Sequence, residues 1–205
     1  SFYVDSKKPK ITKTSPKDYT NGTFSVEFIE DNPKNLVLYY KSDEFDITAD
    51  SNLNVNKIIS VKLDLSECSY DKKYFCSIEV DLSDFDGQEI VYWFKLEDIA
   101  GNMVESKVIN LGVDIMPPKI LNSDFWYQGT GRNNKYIYFD IKIEEENFNK
   151  VLYVNNVLAS KTICSKIKDN KCVKKLSFKK GAHILDIYVI DKVGNSIFKR
   201  IEFSV

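Results

Sequence analysis

The chain has 205 residues, with 29 basic and 30 acidic side chains that leave a formal net charge of −1. This balance gives no electrostatic basis for binding nucleic acid or an anionic membrane surface. No apolar run approaches the roughly 18–20 residues that a membrane-spanning helix needs, so we expect no membrane insertion within this chain.

Strand signals dominate the sequence, because Tyr, Phe, Ile and Val are abundant and often alternate with polar residues. No segment shows the sustained apolar period of an amphipathic helix. In chain order the expected strands are 9–15, 22–30, 35–42, 57–65, 75–82, 90–98 and 103–112, then 119–127, 135–144, 150–155, 157–164, 172–178, 183–191 and 196–204. About seven short strands per half predict an all-β protein of two tandem immunoglobulin-like β-sandwiches.

Three local signals occur twice in the same order, which predicts two copies of one module. The first is Asp5-x-x-x-Pro-Lys-Ile11, which recurs as Asp114-x-x-x-Pro-Lys-Ile120; a cysteine pair and a Gly-Asn turn follow in each half. We therefore predict domains at residues 1–113 and 114–205. Residues 1–4 are expected to be the tail strand of a preceding module, the alternative being a spare strand that pairs with another subunit.

The sequon Asn21-Gly-Thr23 lies in an expected loop before a strand. It makes Asn21 a glycosylation candidate if the host glycosylates exported proteins.

The first copy is longer than the second between its opening motif and its cysteines. The step from Ile11 to Cys68 is 57 residues, and the step from Ile120 to Cys164 is 44. The extra residues are expected within the polar stretch 42–57, as a long surface loop.

The four cysteines form two pairs, Cys68 with Cys76 and Cys164 with Cys172, each with seven intervening residues. Zinc sites use closer spacing, usually with supporting histidines, and the chain has one histidine, His183. We predict one disulfide per module over the alternative of free thiols. Two disulfides indicate an oxidising, extracellular or cell-surface location, intracellular proteins of hyperthermophiles being the exception. Each bond is expected to clip a local hairpin rather than to join two sheets.

The last hairpin of each copy gives the most detailed prediction. Strand alternation places Tyr92, Phe94, Leu96, Leu185, Ile187 and Val189 toward the core, with Trp93, Lys95, Glu97, Asp186, Tyr188 and Ile190 on the outer face. The turn residues are Asp98, Gly101 and Asn102 in the first copy, and Asp191, Gly194 and Asn195 in the second. Each Asp is expected to accept hydrogen bonds from the turn's own N–H groups, and each Gly to take the left-handed conformation.

Asp114-Ile-Met-Pro-Pro-Lys-Ile120, together with Asp98-Ile-Ala-Gly-Asn102, resembles the Ig-like and fibronectin-III-like repeats of bacterial and archaeal cell-surface proteins. Asp5–Ile11 and Asp191–Asn195 fit the same pattern with substitutions. Members of that group serve as stalks, S-layer segments, adhesin spacers and accessory segments of secreted enzymes. The resemblance implies a non-catalytic extracellular structural module whose partners are other protein subunits or neighbouring modules.

One alternative is an accessory segment of a secreted enzyme. The other is an adhesin or carbohydrate-binding role of the aromatic hairpin 126–138, because aromatic rings stack on sugars. The candidate contacts are Trp126, Tyr127, Tyr136 and Tyr138 of one expected hairpin, with Trp93 in the first copy. The competing interpretation is that these rings pack in the core or at sheet edges. Cell-surface glycans are the partner that the alternative requires.

We expect no enzyme activity and no cofactor. His183 opens a strand, no Gly-x-Ser-x-Gly motif occurs, and Gly129–Arg132 is expected to be a turn rather than a phosphate loop. Asp84–Gly87 resembles part of an EF-hand, but Trp93 occupies the twelfth position, where Glu is required. A calcium site of another kind stays open as an alternative to turn capping; its candidate ligands are Asp5, Asp98, Asp114 and Asp191.

Overall fold

The computed structural model describes residues 7–43, 57–122, 127–130, 135–155 and 157–205. The chain forms two compact units, Ser1–Ile115 and Met116–Val205. Both are built from β-strands, and the helical elements of the described residues are two 3₁₀ turns, Leu65–Glu67 and Ser83–Phe85. Within the described ranges, no helix is long and apolar enough to cross a bilayer. The expected all-β class is confirmed.

The described residues of the first unit form ten strands in two sheets. These are β1 (Lys10–Ser15), β2 (Tyr19–Thr20), β3 (Thr23–Ile29), β4 (Pro33–Ser42), β5 (Ile59–Leu63), β6 (Ser69–Tyr70), β7 (Tyr74–Glu79), β8 (Glu89–Asp98), β9 (Met103–Glu105) and β10 (Ile109–Val113). One sheet has the order β1-β3-β7-β6, and the other has the order β2-β10-β8-β4-β5, with β9 also paired to β8. We name them the β3 sheet and the β8 sheet after their inner strands.

The core of the first unit is contributed by alternate residues of the two sheets. Phe24, Val26 and Phe28 of β3 are buried, while the residues between them are half-buried on the other face. Phe24 meets Tyr92 of β8 edge to face, with ring centroids 4.8 Å apart. Each large apolar side chain removed from water in this way contributes about 1.5–3 kcal/mol.

In the second unit, the part of the chain that the structure describes forms eight strands, also in two sheets. These are β11 (Lys119–Ile120), β12 (Tyr127–Thr130), β13 (Tyr136–Glu144), β14 (Phe148–Asn155), β15 (Val157–Cys164), β16 (Lys171–Ser177), β17 (Ala182–Asp191) and β18 (Ser196–Ser204). In the β13 sheet, β11 and β12 follow one another along one side of β13, and β16 pairs with the other side. The β17 sheet has the order β15-β14-β17-β18.

The register predicted for strands 90–98 and 183–191 is confirmed in β8 and β17. The six expected core residues, Tyr92, Phe94, Leu96, Leu185, Ile187 and Val189, are all fully buried. The six residues expected on the outer face are all half-buried. Because a one-residue slip would turn every one of these side chains to the other face, the period-two pattern determines the register.

The strand expected at 119–127 is interrupted. The backbone of Lys119 and Ile120 pairs with β13. At Asn122 the side chain, instead of the backbone, forms the hydrogen bonds to β13. Its Nδ2 donates to the carbonyl of Asp140 at 2.6 Å, and its Oδ1 accepts from the N–H of Lys142 at 2.7 Å.

Pairing resumes with β12 after residues 123–126, which lie outside the described residues. The turn expected at Gly129–Arg132 is wrong for its first half, since Gly129 and Thr130 pair with Ile137 and Tyr136.

The extra residues of the first copy lie between β4 and β5. Strand β4 ends at Ser42 and β5 begins at Ile59, whereas one residue separates β14 from β15. This agrees with the expected position of the insertion, although residues 44–56 themselves are outside the described residues.

Candidate functional site

The turn between β8 and β9 is organised by the buried carboxylate of Asp98. Its Oδ1 accepts the N–H groups of Ala100 at 2.9 Å and Asn102 at 2.8 Å, and its Oδ2 accepts Asn102 Nδ2 at 2.7 Å. Burial acts to raise the pKa of Asp98, but the hydrogen bonds from Asn102, Ala100 and Gly101 outweigh it and lower that pKa. Gly101 takes the left-handed conformation, with φ of 87°.

The corresponding turn of the second unit uses its buried Asp191 differently. Asp191 Oδ1 accepts the N–H groups of Val193, Gly194 and Asn195 at 2.7–2.9 Å. Its Oδ2 is buried without a hydrogen-bond partner. The Asn195 amide donates to the Met116 carbonyl at 3.5 Å, whereas its counterpart Asn102 donates to Asp98. The two turns therefore share backbone geometry but not side-chain pairing.

Both predicted disulfides are present, and the described residues contain no free cysteine. In the first unit, Ser69 lies opposite Phe75 and Tyr70 opposite Tyr74 across the β6–β7 hairpin. The same register places Cys68 opposite Cys76, with Cα atoms 4.5 Å apart. This bond clips a local hairpin, as expected.

The expectation of a hairpin clip is wrong for the second unit. Cys164 is the last residue of β15 in the β17 sheet, and Cys172 lies in β16 of the β13 sheet. The bond therefore joins the two sheets, with Cα atoms 5.8 Å apart. The physical reason is the crossing of the chain between sheets, through Asp169 and Asn170 with φ of 50° and 58°. Equal cysteine spacing thus serves two different connections.

Trp93 lies on the outer face of β8, where its ring stacks on Tyr39 of β4. The centroids are 5.4 Å apart and the planes differ by 10°. Such a pair contributes about 0.5–1.5 kcal/mol beyond area burial. Sequence analysis missed Tyr39; the signal that could have found it is its outward place in the alternating β4 sequence, directly opposite Trp93.

The aromatic hairpin of the second unit is described only in part. Trp126 and the side chain of Tyr127 are outside the described residues. Tyr136 carries the Lys175 ammonium 4.3 Å from its ring centroid, so one face of this ring is already occupied. Tyr138 lies opposite Lys175 on the same strand pair and is exposed over 36% of its surface. Tyr138 is thus the better placed of these two rings for an external ligand.

A groove of about 680 Å³ lies between β1 and the interruption that separates β9 from β10. Ser106 lies in it, but its Oγ accepts the Phe94 N–H at 2.9 Å and donates to the Lys107 carbonyl at 3.0 Å. His183, the only histidine of the sequence, belongs to the other unit, where it stacks on Phe203. The groove therefore does not present a serine activated by histidine.

Other candidate residues are accounted for individually. Asn21 is exposed in the turn between β2 and β3, and its Oδ1 accepts the Thr23 N–H at 3.4 Å. Among the described residues, no group of three or more His, Cys, Asp or Glu side chains is arranged to hold a metal ion. Asp98 and Asp191 serve as turn acceptors, and Asp5 lies outside the described residues.

The outer edge of the last strand differs between the units, a feature that sequence analysis missed. In the first unit β2 runs parallel to β10, with Gly112 N–H donating to Asp18 at 3.0 Å and Asp114 N–H to Thr20 at 2.9 Å. The Tyr92 hydroxyl donates to the Pro16 carbonyl at 2.6 Å, which holds the segment between β1 and β2. The first unit therefore covers this edge with its own chain.

In the second unit no described strand covers the corresponding edge. The position of Tyr92 is taken by Leu185, and both β11 and β12 remain beside β13. Strand β18 runs without interruption from Ser196 to Ser204, pairs with β17, and has no strand on its other side among the described residues. An uncovered edge of this length is a template for another strand.

Two β-sandwiches of the fibronectin-III and immunoglobulin type make up this chain. No protein-family model and no curated protein sequence matches it. Among solved structures, the FN1–FN3 domains of chicken CNTN1 are similar, with a TM-score of 0.58 at 10% identity over 95% of this chain and 66% of that one. The fibronectin(III)-like modules of Clostridium thermocellum CbhA match with a TM-score of 0.46 at 9% identity, over 96% and 93% of the two chains. At such identities the similarity to CNTN1 bears on the fold alone.

Proposed function

We propose that this chain is a non-catalytic extracellular structural module of a prokaryotic surface protein, a segment of a stalk, S-layer or filament. The observation that carries the proposal is the presence of one disulfide in each sandwich. Disulfides persist in oxidising compartments, and the repeats that this sequence resembles serve as stalks and spacers. The repeat motifs at Asp98–Asn102 and Asp114–Ile120 support the prokaryotic surface assignment through their resemblance to such proteins.

The test is the redox state and accessibility of the protein in its native host. Non-reducing peptide mass spectrometry is expected to find Cys68 linked to Cys76 and Cys164 linked to Cys172. A membrane-impermeant lysine reagent is expected to label the protein on intact cells while a cytoplasmic control stays unlabelled. Free thiols in the native protein, or labelling only after lysis, would contradict the proposal.

Sugar binding is the second candidate, favoured by the exposed ring of Tyr138 beside Lys175. An exposed aromatic face next to an ammonium suits a sugar that carries an acidic group. A glycan array probed with the chain, with Trp126→Ala and with Tyr138→Ala would test it. Tyr70→Ala is the matched control, because Tyr70 is an exposed tyrosine of the first unit. No binding by the unaltered chain, or binding that both hairpin variants retain, would remove this candidate.

A further inference from the structure

We propose that the open edge of β18 pairs antiparallel with β18 of a second copy of this chain, joining two β17 sheets into one. The inference deepens the structural role proposed above and rests on it, because it names the partner that such a module would bind. It is argued from the hydrogen-bonding pattern of the strand and from the order of its charges.

The backbone groups available on β18 follow from its pairing with β17. Gly181 and Val205 exchange two hydrogen bonds, at 2.9 and 3.0 Å, so odd-numbered residues of β18 bond to β17. Hydrogen-bonded and non-bonded pairs alternate along an antiparallel ladder. The N–H and C=O groups of the even-numbered residues therefore point away from β17; these residues are Ser196, Phe198, Arg200, Glu202 and Ser204.

The same even-numbered side chains share one face of the sheet. All five are exposed, and Phe198 is exposed over 60% of its surface. Residues that lie directly opposite in an antiparallel pair have side chains on the same face. A second β18 would therefore place its own even-numbered residues opposite these, and only registers that match even with even residues are possible.

Charge favours one of those registers. If the two-fold axis passed between the two copies at Arg200, Arg200 of one copy would lie opposite Arg200 of the other. An axis at Glu202 would likewise pair two Glu202 side chains, and both like-charge pairs are unfavourable. Centring on Ile201 places Arg200 opposite Glu202 of the second copy, and by symmetry the same pair forms twice. Ser204 then lies opposite Phe198. Because one patch faces its own copy across a two-fold axis, the arrangement closes as a dimer.

Arg200 is prepared for this contact by its neighbour on β17. Its Nε and one Nη donate to the two carboxylate oxygens of Asp186 at 2.7 and 3.0 Å, which holds the guanidinium flat on the outer face. A guanidinium has five N–H donors, so donors remain for a second carboxylate. Glu202 of a second copy, placed opposite Arg200, supplies that carboxylate.

The first unit does not offer an equivalent edge. Strand β2 pairs with the outer edge of β10. Ser106 separates β9 from β10, because its N–H donates to the Phe94 carbonyl and its Oγ accepts the Phe94 N–H. Pairing through this edge is therefore available to the second unit and not to the first, and its two-fold symmetry predicts a dimer rather than a chain of copies.

Sedimentation equilibrium of the full 205-residue chain tests the inference. The unaltered chain is expected to show a monomer–dimer equilibrium. Glu202→Arg places arginine opposite Arg200 twice and is expected to weaken the dimer about tenfold. Glu105→Arg, a matched exposed glutamate on β9 of the first unit, is expected to leave the equilibrium unchanged.

A charge-swapped variant separates specific pairing from lost folding. Asp186→Arg, Arg200→Glu and Glu202→Arg together preserve both the internal pair and the pair between copies with reversed signs, and are expected to restore the dimer. A monomer at every concentration, a dimer unaffected by Glu202→Arg, or failure of the swap in a chain with unchanged circular dichroism would overturn the inference. None of these results alters the disulfide and surface-labelling readouts of the proposed function, so the two can fail separately.

Discussion

The first unit pairs β2 with the outer edge of its last strand, whereas no described strand pairs with the outer edge of the nine-residue strand β18 in the second unit. The difference coincides with one side chain at equivalent positions of β8 and β17. The Tyr92 hydroxyl donates a hydrogen bond to the Pro16 carbonyl and so holds the segment between β1 and β2. Leu185 has no hydroxyl and cannot form this bond. Two copies with the same turn and cysteine spacing thus differ in which surface they offer to other molecules.

The comparison can be tested most strongly at the disulfides. Cys164→Ala/Cys172→Ala is expected to cost about 2–5 kcal/mol, because it removes a closed loop and a connection between two sheets. The Cys68–Cys76 bond closes a loop of the same length but clips only a hairpin, so the cost of Cys68→Ala/Cys76→Ala is expected at the lower end of that range. Calorimetric unfolding of each variant provides the measurement. An equal loss in both units would show that loop length alone determines the effect.

Tyr92→Phe is expected to cost the first unit about 1 kcal/mol at neutral pH, because the Pro16 carbonyl loses its donor. Burial also raises the pKa of Tyr92 to about 12. The unfolded tyrosine ionises near pH 10, so the stability that Tyr92 contributes is complete below about pH 10 and is lost as the pH rises toward about 12.

Alkaline denaturation of the unaltered chain and of Tyr92→Phe measures both effects. Tyr70→Phe, which alters an exposed hydroxyl, is the control. An alkaline midpoint that Tyr92→Phe does not change would contradict the assignment.

Asp98→Asn is expected to destabilise its turn more than Asp191→Asn does. Both carboxylate oxygens of Asp98 accept hydrogen bonds. The amide nitrogen of an asparagine at this position would therefore point a donor at another donor, whichever oxygen it replaced. In Asp191→Asn the amide nitrogen can take the place of Oδ2, which has no hydrogen-bond partner. The loss of unfolding free energy is therefore expected to stay within about 1 kcal/mol. Thermal unfolding of the two variants measures the difference. Equal shifts would show that the second oxygen of Asp98 is unimportant.

Acid unfolding extends the same comparison. Because the pKa of Asp98 is lowered in the folded state, its stabilising contribution is present above about pH 4 and is lost as the pH falls through the folded pKa. Asp98→Asn is therefore expected to weaken the acid dependence of the first unit. Part of that dependence remains, because hydrogen bonds also lower the pKa of Asp64, Asp81 and Glu97.

Local features of this fold were predictable from sequence, and connections between distant segments were not. The last hairpins were predicted residue by residue, since strand alternation and the Asp-Gly-Asn turn chemistry act within a few positions. Cysteine spacing predicted the pairing but not the sheet to which β15 and β16 belong. The covering of β10 depends on Tyr92 meeting Pro16, which lies 76 residues away in sequence. Spacing and composition do not encode such a contact.

The aromatic site was predicted less well for a similar reason. Outward residues could be recognised by alternation, but their neighbours across the sheet could not. Tyr39 beneath Trp93 and Lys175 over Tyr136 both come from strands whose pairing was not known from sequence. These neighbours decide which ring faces remain available.

The close approach of Tyr19 to Gly112 has a consequence for protein engineering. A Cβ atom at position 112 would lie 2.8 Å from two carbons of the Tyr19 ring, so any side chain there would force this ring to move. The equivalent position on β18 is Ser204. Transplanting residues 16–20 onto the second unit to cover the edge of β18 would therefore be helped by Ser204→Gly. The reverse change, Gly112→Ser, is expected to weaken the packing of β2 against β10.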